Sequence, residues 1–309
     1  MRNILFGVLV LFGIMYTLRW VQSARARAEP DVESFENLVS AVRAFAGDWL
    51  PSVLQATIGF VTNFFDTLGI GSFAPTTSWY KLQNLVPDER IPGTMLVGHT
   101  GPVIVQAFIF IAIIKVDVLT LSSLIGSSVL GAWLGAGHVA RWPRRRIQMG
   151  MGIALLLAGV TFVMANLGFA PIGGEAIGLT GVALGIGVAC FFLLGALMTL
   201  GIGMYAPAMI VISLLGLNPA VAFPIMMGAS AFLMPVAAIR FLSANAYEYR
   251  PALGLALGGL PAVLIAVYIV GSLPLTTMRW LVVVVVTYAA LAMLRSAWVE
   301  GRATVAQPG

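Results

Sequence analysis

Charge is what this sequence has least of. Only 9% of its 309 residues are Asp, Glu, Lys or Arg, and 60% are apolar. A soluble domain carries about 25% charged residues, so a water-soluble globule is excluded. Cysteine is almost missing. Cys190 stands alone inside an apolar run, so it can make neither an internal disulfide nor a metal cluster, and it reads as a small packing residue. The two histidines, His99 and His138, have no metal-ligand spacing to each other or to Cys190. Hydrolase and kinase signatures are absent. Gly69-Ile70-Gly71 lacks the third glycine and the strand context of a dinucleotide fingerprint. The chain is therefore expected to be no enzyme and to hold no metal or cofactor.

What is present is a series of apolar runs, most close to the roughly 20 residues that span a bilayer. Glycine is abundant, at 34 residues, as expected where helices pack closely without a hydrophobic drive between them. The net charge is +5, but the basic residues sit at the ends of apolar runs. They read as topology signals and not as a nucleic-acid surface. The fold class is an all-α polytopic membrane protein, with the lipid bilayer as its surroundings.

Part of the sequence is written twice. Leu68-Gly69-Ile70-Gly71-Ser72-Phe73-Ala74-Pro75 returns 132 residues later as Leu200-Gly201-Ile202-Gly203-Met204-Tyr205-Ala206-Pro207. At the same offset Pro87 falls on Pro219, Pro92 on Pro224 and Met95 on Met227, and 12 of the 29 positions from Thr67 to Met95 are identical. Both copies place two glycines and a proline where a helix cannot stay regular. Paired Gly/Pro interruptions in two halves of a hydrophobic chain point to a transporter's binding site. Irregular backbone at membrane depth persists only where protein or a water-filled cavity satisfies its polar groups.

Three regions follow. Residues 1–49 read as an uncleaved signal anchor over 3–18 and an amphipathic surface segment over 29–48. Residues 50–170 form the first repeat, with a broken helix at 50–85 and runs at 92–114, 118–139 and 147–167. Residues 178–298 form the second, with a broken helix at 179–217 and runs at 220–242, 252–271 and 278–294. The basic loop 141–146 places itself in the cytoplasm, with loop 81–90. Lys115, Asp117 and Glu175 then fall outside. If each broken helix is one crossing, the repeats are parallel, Arg279 is inside and the tail with Arg295 and Arg302 is outside. The recurrence of a basic loop at 141–146 and at Arg279 favours that count. If each break is a re-entrant hairpin, the count per half is odd and the repeats invert.

A polar-interrupted span, a Gly-Ile-Gly break, an Ala-Pro and a short helix, present twice, resemble the TauE/SafE family of sulfite and organosulfonate exporters, also grouped as sulfonate uptake permeases. The resemblance is carried by Gly59-Phe60, Leu68 to Gly71 and Pro75, and again by Gly195, Leu200 to Gly203 and Pro207. It covers roughly residues 50–296. The family's commoner Gly-Ile-Gly-Gly-Gly run is replaced here by Ser72-Phe73 and Met204-Tyr205. The resemblance implies transport of a small oxidised-sulfur anion across a cell inner membrane. Composition alone implies a polytopic transporter or channel.

The residues that carry such chemistry surround the breaks. A helix that starts at a break offers free N–H groups and a partial positive charge to an anion. In the first copy the candidates are Gly69, Gly71, Ser72, Thr76 and Thr77; in the second, Gly201, Gly203 and Tyr205. His99, in the next run beside Gly101-Pro102, can donate to an anion or to a neighbouring helix. Asp66 is the only acid well inside an apolar run, where a carboxylate costs about 2.5–3.5 kcal/mol on insertion scales. It reads as a proton-coupling group, as a cap on the break, or, least readily, as a substrate contact, because an ionised acid repels an anion. Its counterpart is Met198.

Overall fold

The computed structural model describes residues 2–28, 50–139, 144–169, 174–198 and 203–306. The amphipathic segment expected at 29–48 lies outside them. The described chain is helical, with no strand among its residues beyond one isolated bridge, Ala176 to Leu217. Its helices are α1 (Arg2–Ala28), α2 (Val53–Thr67), α3 (Phe73–Leu82), α4 (Ile91–Ile113), α5 (Val118–Val139), α6 (Arg144–Asn166), α7 (Gly181–Met198), α8 (Tyr205–Leu214), α9 (Ala222–Ser243), α10 (Tyr249–Ser272) and α11 (Leu275–Ala306). Seven are long and apolar enough to cross a membrane by length and composition: α1, α4, α6, α7, α9, α10 and α11. Helix α5, at 22 residues, also has the length. The protein is a multi-pass, transporter-like membrane protein.

Local structure recurs at the sequence offset. Short helices α3 and α8 have equivalent bounds, and each is entered from an N-cap in the αR region, Ser72 and Met204. Each ends in a left-handed residue, Asn84 (φ 49°) or Gly216 (φ 80°). Each is followed by a 3-10 turn, Asp88–Arg90 or Pro219–Val221.

Contacts divide the chain into two compact units that cut across the two copies. One holds Met1–Asp66, Ser72–Phe108 and Ser230–Ala266; the other holds Thr67–Gly71, Ile109–Ala229 and Val267–Gly309. In the first unit, glycines let backbones touch. A Cβ on Gly258 would lie 1.9 Å from the Ala56 carbonyl oxygen, and one on Gly59 would lie 2.4 Å from that of Gly254, so α2 and α10 meet without side chains between them. In the second unit a Cβ on Gly195 would lie 2.0 Å from the Ser128 carbonyl oxygen, which sets α7 against α5. Close approach through small residues is how helices associate in lipid.

Further contacts within each unit fold each broken helix back on itself as a hairpin. The chain before α2 and the chain after α3 meet the same end of α10: Arg250 Nε donates to the Leu50 carbonyl at 2.9 Å, Tyr80 donates to the Pro251 carbonyl at 3.2 Å, and Arg90 pairs with Glu248 at 2.8 Å. The α7–α8 arm closes likewise. Leu217, after α8, bridges to Ala176, before α7, and the Asn218 N–H donates to the Ala176 carbonyl at 2.8 Å. That end also carries Asp117, whose N–H donates to the Ile177 carbonyl at 2.8 Å.

These contacts fit the hairpin reading of the breaks, the alternative to the parallel count. A short helix of 10 residues, about 15 Å long, does not complete a crossing; it returns the chain to the face it came from. With the hairpins left out, each copy has three long helices, the odd number on which repeats invert. Within the second unit, Arg279 stands at the end that carries Asp117, and Arg295 at the end that carries Arg145.

Candidate functional site

Six buried polar side chains converge around the first hairpin, all within the first unit: Asn63 and Asp66 on α2, Ser72 and Thr76 at the start of α3, and His99 and Gln106 on α4. Asn63 and Asp66 are one turn apart on α2 and share a face. His99 and Gln106 are two turns apart on α4 and share another. Asp66 precedes the break closely enough to reach over it. Its Oδ1 accepts from the Ser72 N–H at 2.6 Å and its Oδ2 from Gln106 Nε2 at 3.1 Å. The capping geometry is therefore present: the carboxylate satisfies a backbone donor that the start of α3 leaves without an intrahelical partner.

The second half of the cluster fixes a tautomer. Asn63 Nδ2 donates to the Gly59 carbonyl at 2.7 Å and to that of Leu255 at 3.3 Å. Two carbonyls can be met only by the amide nitrogen, so Oδ1 must face His99 Nδ1, 3.0 Å away. The ring proton of neutral His99 therefore sits on Nδ1, and Nε2 accepts from the Thr76 hydroxyl at 3.1 Å. Phe73 covers the ring, with centroids 5.9 Å apart. A chain of hydrogen bonds thus runs from the α10 backbone through α2 and α4 to the first turn of α3.

The other expected residues are placed differently. Thr77 is half-buried and donates to Met95 Sδ at 3.3 Å, away from Thr76. Gly69 and Gly71 both have positive φ, 93° and 89°. A Cβ on Gly69 would strike the Met209 methyl at 2.2 Å, whereas one on Gly71 would meet nothing within 4 Å. Gly71 therefore faces open space, and glycine is needed there for its backbone conformation. Gly203 also has nothing within 4 Å of an added Cβ. Tyr205 opens α8 and is buried. Gly201 lies outside the described residues. Gln106 was missed in the sequence. A Gln inside an apolar run is itself a signal, but its seven-residue spacing from His99 becomes informative only once α2 is known to face α4.

Among the described residues, no group of three or more His, Cys, Asp or Glu could hold a metal ion. No protein-family model matches the chain, and neither the curated proteins nor the solved structures provide a match.

Proposed function

We propose that the protein exports sulfite or a small organosulfonate anion across a cell inner membrane, with the first hairpin as its binding and coupling element. The observation that carries this reading is the cluster of six buried polar groups around one interrupted helix in an otherwise apolar chain. Such groups inside a membrane are costly and mark ion or substrate pathways. The resemblance to TauE/SafE exporters supplies the substrate class. An inside-negative potential adds about 2.3 kcal/mol per charge per 100 mV toward expelling an anion.

In this reading the α3 start, with Ser72 and Thr76, faces the anion, and His99 sets the direction of the Thr76 hydroxyl. Asp66 acts as cap and as coupling group at once. As a carboxylate it accepts from both Ser72 and Gln106. A bound proton removes one acceptor site and loosens the start of α3. A proton taken up from outside and released inside would then accompany anion exit.

Proteoliposomes loaded with sulfite or a sulfonate test the proposal, with and without an imposed potential and pH gradient. Protein-dependent efflux that responds to both is the expected result. Absence of efflux for every oxidised-sulfur anion tried overturns the substrate class. Poorly saturating flux that ignores the pH gradient identifies an anion channel instead, and inward flux an uptake permease.

A further inference from the structure

We propose an oxyanion-binding site at one end of the seam between α6 and α11, formed by Asn166 and Arg279. Both helices belong to the second unit, and their register is fixed by contacts along the seam. Arg145 Nε donates to the Ala297 carbonyl at 3.2 Å. A Cβ on Gly152 would meet Leu294 and the Ala290 carbonyl, and one on Gly159 would meet Thr287 and Val286. Each step of seven residues, two turns, keeps one face of α6 against α11 while α11 runs the other way. The next step on α6 is Asn166. On α11 it is Arg279, seven residues before Val286.

These two side chains share an unusual property. Asn166 Nδ2 and Arg279 Nε are both shielded from solvent and have no hydrogen-bond partner. Both are donors, and guanidinium has no acceptor to offer in return. Two unpartnered donors at facing register positions of one seam call for an acceptor with several lone pairs. A phosphate, sulfate or sulfonate oxygen fits, since charge-assisted bonds to arginine are the strong ones. The ion pairs among the described residues are Lys81–Asp88 and Arg90–Glu248, so no carboxylate there fills the role for Arg279. Exposed Leu167, Phe169 and Trp280 flank the pair, as expected at headgroup depth. Two sources can therefore supply the oxyanion, a phospholipid headgroup or a free small anion.

The site does not rest on the transport reading, and it is tested without measuring flux. Full-length protein in detergent is compared with R279Q and N166D by native mass spectrometry of retained phospholipid. A second arm follows thermal unfolding with added sulfate or sulfite. R279Q removes the guanidinium. N166D supplies an acceptor from the chain itself and so competes with the ligand while pairing with Arg279. Retention of an anionic phospholipid that falls about tenfold in both variants supports the site and assigns it to lipid. An anion-dependent rise in melting temperature, seen in the wild type and lost in both variants, supports it with a free anion as occupant. If the Asn166 amide simply turns over and accepts from Arg279 itself, wild type and both variants will hold the same lipid and respond alike to anions. That result overturns the proposal.

Discussion

Asn63, Asp66, Ser72, Thr76, His99 and Gln106 surround the first hairpin; at the same offset the second copy has Gly195, Met198, Met204, Ala208, Ala231 and Ala238. The short helices differ in the same sense. Within α3, only Thr76 and Tyr80 are buried. In α8, Tyr205 to Ile210, Ile212 and Ser213 are all buried, which suits a helix that is apolar all round. The backbone plan was kept while the polar groups were confined to one copy. The comparison separates two requirements that a single hairpin would confound. Glycines and left-handed caps build the hairpin, and they recur. Carboxylate, imidazole and amides are not needed for the shape, so their presence in one copy calls for another reason.

The largest effects should fall on what the two regions share. Gly258→Ala and Gly195→Ala each drive a Cβ into a backbone carbonyl of the neighbouring helix, at 1.9 and 2.0 Å. Backbone cannot rotate away as a side chain can, so each should cost at least about 2–3 kcal/mol, read as a loss of thermal stability in detergent. If one proves silent while the other unfolds the protein, the two hairpins are not held by the same means.

The next effect should separate the regions. His99→Leu leaves Asn63 Oδ1 and the Thr76 hydroxyl without their partner inside the bilayer, a cost of about 2–4 kcal/mol. Ala231→Leu, at the equivalent place, adds volume but orphans no polar group. Adding Asn63→Leu to His99→Leu should cost less than the sum of the two singles by about 1 kcal/mol or more, because they share one network. Additive losses would show that the hydrogen-bond chain carries no coupling.

Asp66 sharpens the comparison further. In Asp66→Asn the new amide can still accept from the Ser72 N–H through its one oxygen, and Gln106 can turn its own amide to accept from the new nitrogen. The change should therefore cost no more than about 1 kcal/mol. If the carboxyl carries a proton, the same change should make sulfite efflux indifferent to the pH gradient. Met198→Leu should leave both stability and flux as they were. Unchanged pH dependence in Asp66→Asn would reduce Asp66 to a cap.

The sequence made the hairpin boundaries legible because glycine, proline and a fixed offset leave a local record. Asp66 and His99 stood out because charge and imidazole are rare in apolar runs. The folding-back of each broken helix was not legible. It depends on which distant residues meet, as Tyr80 meets Pro251 and Leu217 meets Ala176, and no local pattern encodes such pairs. The tautomer of His99 was hidden for the same reason. It is set by the Leu255 carbonyl on α10, 192 residues from Asn63.

The smallest effect concerns the left-handed residues that follow the C-caps Gln83 and Leu215, where the copies solve one problem with different residues. Asn84 has φ 49° and Gly216 has φ 80°. Left-handed backbone costs most residues about 1–2 kcal/mol, and Asn is among the few that visit it routinely. Asn84→Ala and Gly216→Ala should therefore lose about 1 kcal/mol each, by the same mechanism. At Gly216 the loss is purely conformational, since an added Cβ meets nothing within 4 Å. Asn84→Gly sets relief of the remaining strain against the greater freedom of glycine in the unfolded chain. The two should cancel to within about 0.5 kcal/mol. Thermal unfolding of the three variants in one detergent measures all of this. A substantial loss for Asn84→Gly would mean that the Asn84 side chain holds the hairpin exit by its own hydrogen bonds, and that the equivalence of the two caps ends at the backbone.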